Sequence, residues 1–332
     1  MKTTESLIFA INAVFPIIFV VAIGYFLKRK GLMGADFARK ANKLVFRVFL
    51  PSMLFLNVYE IQDVGVISYG YILYVVAVLM VIFAIAVPTV MAVTKRSDRR
   101  GSLLQATFRS NYALIGIPLT EALFGSGGKE VATLLSVVTI PMLNILAVIS
   151  LSLFREDGGK PNIKKILLDI VKNPLILSVL AGLAALGVRA LFVRWGVDFR
   201  LDQVVPVYKT LGYLKALATP LALLSLGAQF EFSAVASLRR EIIFGTLARA
   251  VFVPLFGIGV AYLFFRWAFT GAHFAAFVAV FTTPVAVSSL PMAQEMKADA
   301  VLAGQLIVWT TLVSGATLFL AAFLLRLAGI FG

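Results

Sequence analysis

The sequence predicts an all-α integral membrane protein of ten transmembrane helices, arranged as two inverted five-helix repeats with helices 4 and 9 broken. Three observations predict it. The 332 residues are 61% hydrophobic, with a mean hydropathy of +0.97, well above soluble globular composition. The apolar runs exceed the ~20 residues that cross ~30 Å of hydrocarbon. Two of those runs carry matched interruptions, at Phe108-Arg109-Ser110-Asn111 and at Phe281-Thr282-Thr283-Pro284.

Taken in order, the predicted spans are 6–27, 40–60, 66–93, 103–124, 131–154, 173–193, 206–229, 242–265, 273–296 and 300–325. The first is too long for a signal peptide, and Lys28-Arg29-Lys30 follows it in place of a small-residue cleavage site. It is read as a retained span. Lys and Arg crowd the 1–2, 3–4, 5–6, 7–8 and 9–10 connections, with fewer than half as many on the other side. The richer side is expected in the cytoplasm and both termini outside it, in a plasma membrane such as the bacterial inner membrane. The same distribution explains the net charge of +14 without nucleic acid, because the basic residues flank apolar spans.

The repeat extends beyond the two interruptions. An offset of 173 places Pro118 over Pro291, Phe108 over Phe281, and Glu130–Val138 over Ala303–Thr311. Phe15-Pro16 through Gly24 overlays Asn173-Pro174 through Gly182, and Leu50-Pro51-Ser52 overlays Thr219-Pro220-Leu221. Spans 1–5 thus correspond to spans 6–10, as domains 1–160 and 161–332. Five is odd, so the second half enters the membrane upside down, a transporter signature. The halves meet at a polar linker, Arg155 to Pro161. The amphipathic Ile163 to Lys172 follows and is expected along the cytoplasmic surface. Trp195, Trp267 and Tyr262 lie near span ends, as interfacial anchors do.

The chemistry is sparse. There is no cysteine, and the single histidine, His273, sits at a span edge. That excludes thiol nucleophiles and leaves no ligand set for a metal. An enzyme would need an acid–base or metal constellation that the spans lack. No cofactor is expected.

The interruptions remain. Pro284 lacks an N–H and clashes with the turn before it, yet suits the first residue of a new helix. Ser110-Asn111 supplies the other link, since asparagine tolerates irregular backbone and caps a following helix. Expected half-helices are 103–109 and 112–124, then 273–283 and 285–296. The new helices begin near Tyr112 and Val285, and their unpaired N–H groups suit a carboxylate. Asn111, Thr283, Ser110 and Ser288 add donors. In the competing reading Pro284 only kinks a helix and Asn111 only bonds a neighbouring span; equivalent breaks in inverted halves favour a site.

Arg109 has two readings. An arginine at a span centre costs about 2.5–3.5 kcal/mol on insertion scales. It either neutralises the carbonyl end of its own half-helix, or binds a substrate carboxylate or answers a nearby acid. Under both it holds ground where a coupling cation would sit. Asn57, Asn144, Gln229 and Gln305 are weaker candidates, since such groups more often bond neighbouring helices. Glu295 and Glu121 are candidate proton carriers, or else solvated interfacial groups. Gly125-Ser126-Gly127-Gly128-Lys129 superficially matches a phosphate loop, but no strand precedes it, so it reads as an inter-helix turn.

The joint pattern resembles the auxin efflux carrier family, in its bacterial branch of malate or malonate permeases. The carrying residues are Phe108-Arg109-Ser110-Asn111 with Gly116-Ile117-Pro118-Leu119, Thr219 through Gly227, Pro284 through Ser289, and Gly304-Gln305 through Thr311. The resemblance spans essentially the whole chain. It implies crossed broken helices 4 and 9, a scaffold of spans 1, 2, 6 and 7 (6–60 and 173–229), and a mobile transport domain (66–154 and 242–325). It also implies elevator movement and, often, a homodimer through the scaffold. In the plant carriers an Asn and a Pro at the crossing hold the substrate carboxylate, matching Asn111 and Pro284. Those carriers have a proline where this chain has Ser110, and many have a long cytoplasmic loop that is absent here. A small organic acid is therefore the expected substrate rather than auxin. The expected function is secondary active transport of small organic anions. The alternatives are a sodium-coupled importer of the bile-acid symporter type and a channel.

Overall fold

The computed structural model describes residues 2–61, 69–154 and 163–331; the linker expected at 155–161 lies outside them. Fourteen α-helices make up the described residues. They are α1 (Lys2–Arg29), α2 (Ala35–Leu44), α3 (Leu50–Tyr59), α4 (Tyr69–Val93), α5 (Ser97–Phe108), α6 (Ile117–Leu153) and α7 (Ile163–Lys172). Then come α8 (Pro174–Arg194), α9 (Val205–Gln229), α10 (Ala234–Leu247), α11 (Val253–Phe265), α12 (Gly271–Thr282), α13 (Ser289–Glu295) and α14 (Ala300–Leu327).

Among the described residues, seven helical stretches are long and apolar enough to cross a membrane: Ala35–Tyr59, Tyr69–Val93, Leu114–Leu153 (which turns back at Gly125), Pro174–Arg194, Val205–Gln229, Ala234–Phe265 and Ala300–Leu327. Two of them are rods with a π-helical turn inside, Val45–Phe49 between α2 and α3 and Ala248–Phe252 between α10 and α11. Each turn is followed by a proline in the first turn of the next helix, Pro51 or Pro254. A proline cannot donate to the turn before it, and the wider π-turn is where the ladder resets. Both rods start earlier than the spans predicted from 40 and 242, at Ala35 and Ala234. Asn173 caps α8, accepting from Leu175 N at 2.9 Å, with Pro174 in the first turn where its missing N–H has no cost.

The long α6 is not straight. Gly125 adopts φ 67° and ψ −152°, a conformation glycine reaches without a Cβ penalty. The Tyr112 hydroxyl donates to the Ala132 carbonyl at 2.8 Å. Twenty residues of straight helix would separate them by about 30 Å, so the chain folds back at this corner. Lys129 pairs with Glu121 across it at 3.2 Å. The stretch read as an inter-helix turn contains the corner.

Packing draws the helices into two neighbourhoods. In one, α1 lies against α9, and α3 against both α8 and α9. The backbones of α1 and α9 approach so closely that a Cβ on Gly227 would strike the Val21 carbonyl, and one on Gly24 the Leu224 carbonyl. Glycine at a helix interface permits this contact. In the other, α5 and α12 both pack on α6, and α5, α10 and α13 on α14. Helix α12 is buried on every side from Phe274 to Thr282, as a helix at the centre of a bundle should be. Having 12 residues, it is only about 18 Å long. Its end therefore falls inside the bundle. The two neighbourhoods touch where α1 meets α14 and where α2 meets α13.

Candidate functional site

The first interruption is short. Helix α5 ends at Phe108, Arg109 (φ −78°, ψ 89°) and Asn111 (φ −80°, ψ 40°) leave the helical region, and a π-turn restarts the chain at Tyr112. The second is longer than expected. Helix α12 ends at Thr282, and Thr283 turns extended (φ −63°, ψ 149°), as the residue before a proline tends to. The next helix begins at Ser289, not at Val285 as the half-helix 285–296 required.

The two interruptions explain each other. Ser110 and Val285 form an antiparallel bridge. The Asn111 N–H donates to the Pro284 carbonyl at 2.9 Å, and the Ala286 N–H to the Arg109 carbonyl at 3.1 Å. The Val285 N–H donates to Thr310 Oγ1 of α14 at 3.1 Å. A bilayer core offers no water to backbone groups freed from a helix, so each break supplies the other's partners. These pairings hold Val285 and Ala286 extended, and that is why α13 starts late.

Two arginines flank the crossing. Arg109 is 2% exposed and Arg249 fully buried. Arg109 Nη1 donates to Gln105 Oε1 at 3.1 Å and contacts Met292 Sδ at 3.1 Å, while Nη2 donates to Asn144 Oδ1 at 2.9 Å. All three acceptors are neutral. Asn144 is held in place by its own Nδ2, which donates to the Ile140 carbonyl at 2.9 Å. Arg249, from the π-turn of the α10–α11 rod, donates through Nε to the Thr283 carbonyl at 2.8 Å. Its Nη2 donates to the Val280 carbonyl at 2.8 Å and its Nη1 to Phe108 at 3.4 Å. The carbonyl ends of α5 and α12 are thus met by Arg249, not by Arg109. Of the two readings of Arg109, its side-chain bonds to Gln105 and Asn144 do not supply the end-neutralising one. Arg249 was legible only as a charge within a span, because its acceptors are backbone carbonyls that no residue type announces.

A cavity of about 40 Å³ opens beside the crossing. Arg109, Ser110, Asn111, Asn144, Ala286 and Ser288 line one wall, and α3 and α9 supply the other through residues such as Met53 and Thr219. Ser110 and Asn111 are buried, and Ser110 Oγ and Asn111 Nδ2 have no hydrogen-bond partner among the described residues. A buried amide N–H left unpaired costs about 1–3 kcal/mol, and both donors sit unspent at the cavity wall. The volume suits only a few waters, at roughly 10–15 Å³ for each.

The remaining candidates fall at different distances from this centre. Thr283 and Val285 lie in the crossing itself; the Thr283 hydroxyl is spent on Ala279 O at 2.9 Å. Pro284 contributes its carbonyl. Gln305 lines a separate small cavity with Gln229 and Glu231; its Nε2 donates to the Glu231 carbonyl at 2.7 Å and its Oε1 accepts from Trp309 at 3.2 Å. Asn57, on α3, is half-buried and outside the central cavity. Glu295, half-buried, pairs with Arg47 at 3.1 Å, and Glu121, exposed, pairs with Lys129. No cluster of His, Asp or Glu among the described residues is arranged to hold a metal ion.

Comparison with known proteins agrees with this architecture. An uncharacterized transporter of Methanothermobacter thermautotrophicus is 27% identical over 311 residues, covering 91% of this chain and 94% of its own length. A second, from Methanocaldococcus jannaschii, is 25% identical over 223 residues, covering 65% of this chain and 67% of its own. The family described as membrane transport protein matches residues 9–321. With nearly the whole chain matched, and with apolar helices to cross a bilayer, the chain belongs to that family of membrane transporters, the auxin efflux carrier family its sequence resembles.

Proposed function

We propose that the protein is a secondary active carrier of small organic anions, with the carboxylate held at the crossing of the two interrupted helices. One observation supports this most. The buried guanidinium of Arg109 faces only neutral acceptors and borders the same cavity as the unspent Asn111 amide. A desolvated cation costs several kcal/mol unless an opposite charge answers it. An incoming carboxylate is that charge. It accepts charge-assisted bonds from Arg109, and from Asn111 and Ser110 the bonds they lack.

The reading counts ten spans. α1, α4, α8, α9 and α14 are one span each, the rods Ala35–Tyr59 and Ala234–Phe265 two more, and α6 beyond Gly125 another. The last two are the interrupted pairs, α5 with the first part of α6, and α12 with α13. Two inverted five-span repeats follow, with both termini on the extracytoplasmic side. The cavity lies between the two packing neighbourhoods, so sliding one past the other carries its contents across the bilayer. That is elevator-type alternating access, with α1–α3, α8 and α9 as scaffold.

The test is counterflow in proteoliposomes containing the purified chain. Internal malonate is expected to accelerate uptake of labelled malonate, saturably and more than chloride does. Uptake that neither saturates nor responds to internal anion, across a panel of mono- and dicarboxylates, would favour a channel and overturn the carrier reading.

A further inference from the structure

Arg249 answers the carbonyl ends of two helices at once. Its three recorded acceptors are the carbonyls of Val280 and Thr283 at the end of α12 and of Phe108 at the end of α5. A helix C-terminus carries roughly half an elementary negative charge. Two such ends present about one negative charge, and one guanidinium balances it. Carbonyls at interrupted helix ends within a membrane also coordinate monovalent cations. The oxygens Arg249 holds are of that kind.

The two buried arginines divide the work. Arg109 borders the cavity and bonds side-chain acceptors; Arg249 does not line the cavity and spends its recorded bonds on backbone. Its hold on α5 and α12 also binds the two interrupted helices together, alongside the Ser110–Val285 bridge. It is a positioning residue with a charge to supply.

We propose that Arg249 is a tethered cation filling a carbonyl-lined site between the interrupted helices, and that a neutral residue at position 249 opens this site to a free monovalent cation. The occupant of the opened site is guanidinium itself or a metal ion of sodium's class. The proposal rests on the crossing being the functional centre, but its test needs no transport.

Thermal unfolding of the full chain separates the outcomes. Wild type, Arg249→Ala and Arg249→Gln are compared in choline, sodium and millimolar guanidinium chloride at equal ionic strength. In choline both variants are expected to melt below wild type. Guanidinium should return Arg249→Ala by several degrees, and sodium should raise Arg249→Gln, since a ligand favouring the folded state raises its midpoint. Wild type should respond alike to all three salts. A variant that can be purified only with guanidinium or sodium present supports the assignment equally. Variants indifferent to the choice of cation, or a wild type that shares their sodium response, overturn it. Rescue in the variants without anion uptake by wild type removes the carrier reading and leaves the tethered cation standing.

Discussion

The backbone N–H of Asn111 donates to the carbonyl of Pro284 at 2.9 Å, joining two residues 173 positions apart. With the return bond from Ala286 to Arg109, this makes the crossing a two-residue piece of sheet inside a helical bundle. The Ser110 hydroxyl and the Asn111 amide are therefore left unspent, and substitutions there should separate binding from folding.

Arg109→Gln keeps a donor and removes the charge. A hydrogen bond to a charged group is worth about 1.5–3 kcal/mol, so anion affinity should fall roughly 10- to 100-fold. Titrating the thermal shift with malonate measures it. The unliganded protein should melt no lower than wild type, since the substitution also removes a desolvated charge. Unchanged affinity would leave Arg109 with a structural role alone.

Thr310→Val removes the acceptor of the Val285 N–H while preserving side-chain volume. The orphaned amide costs about 1–3 kcal/mol. A midpoint lowered by a few degrees in chemical or thermal unfolding is the expected result. Thr311→Val, whose hydroxyl serves only its own helix at Ile307 O, should change far less.

Gly227→Ala pushes a Cβ into the Val21 backbone. Backbone cannot yield as a side-chain tip does, and overpacking costs typically 1–3 kcal/mol. Reduced melting temperature and yield should follow. Gly212→Ala, on the same helix but with open space at its Cβ, is the control and should be neutral or slightly stabilising.

Asn42 donates to Gln294 Oε1 at 2.9 Å, linking α2 to α13 across the two neighbourhoods. The chain has no cysteine, so Asn42→Cys/Gln294→Cys needs no prior removal of thiols. A crosslink between them is expected to arrest uptake by more than an order of magnitude, with recovery on reduction. Full activity while crosslinked would refute sliding between these helices.

Both interruptions were legible because their residue types are wrong for a continuous apolar helix. Arg109, Ser110, Asn111 and Pro284 mark them directly. The corner at Gly125 was legible for the same reason. The late start of α13 was not, since local propensity favours a helix from Pro284 and only pairing with a distant segment overrides it. The work of Arg249 was hidden too, because a guanidinium bound to carbonyls leaves no signature in its partners' identities. Gln305 and Asn57 read as candidates on polarity alone; which wall of the bundle they face depends on packing that a single sequence does not reveal.

The tie between Ser110 and Val285 is made of main chain, which every amino acid except proline supplies complete. Exchanging the residues at 110, 111 or 288 for anything but proline should thus change the chamber's lining without loosening the knot that shapes it. Under the proposed function, one chassis should then pass from one acid to another by small steps, each intermediate still folding.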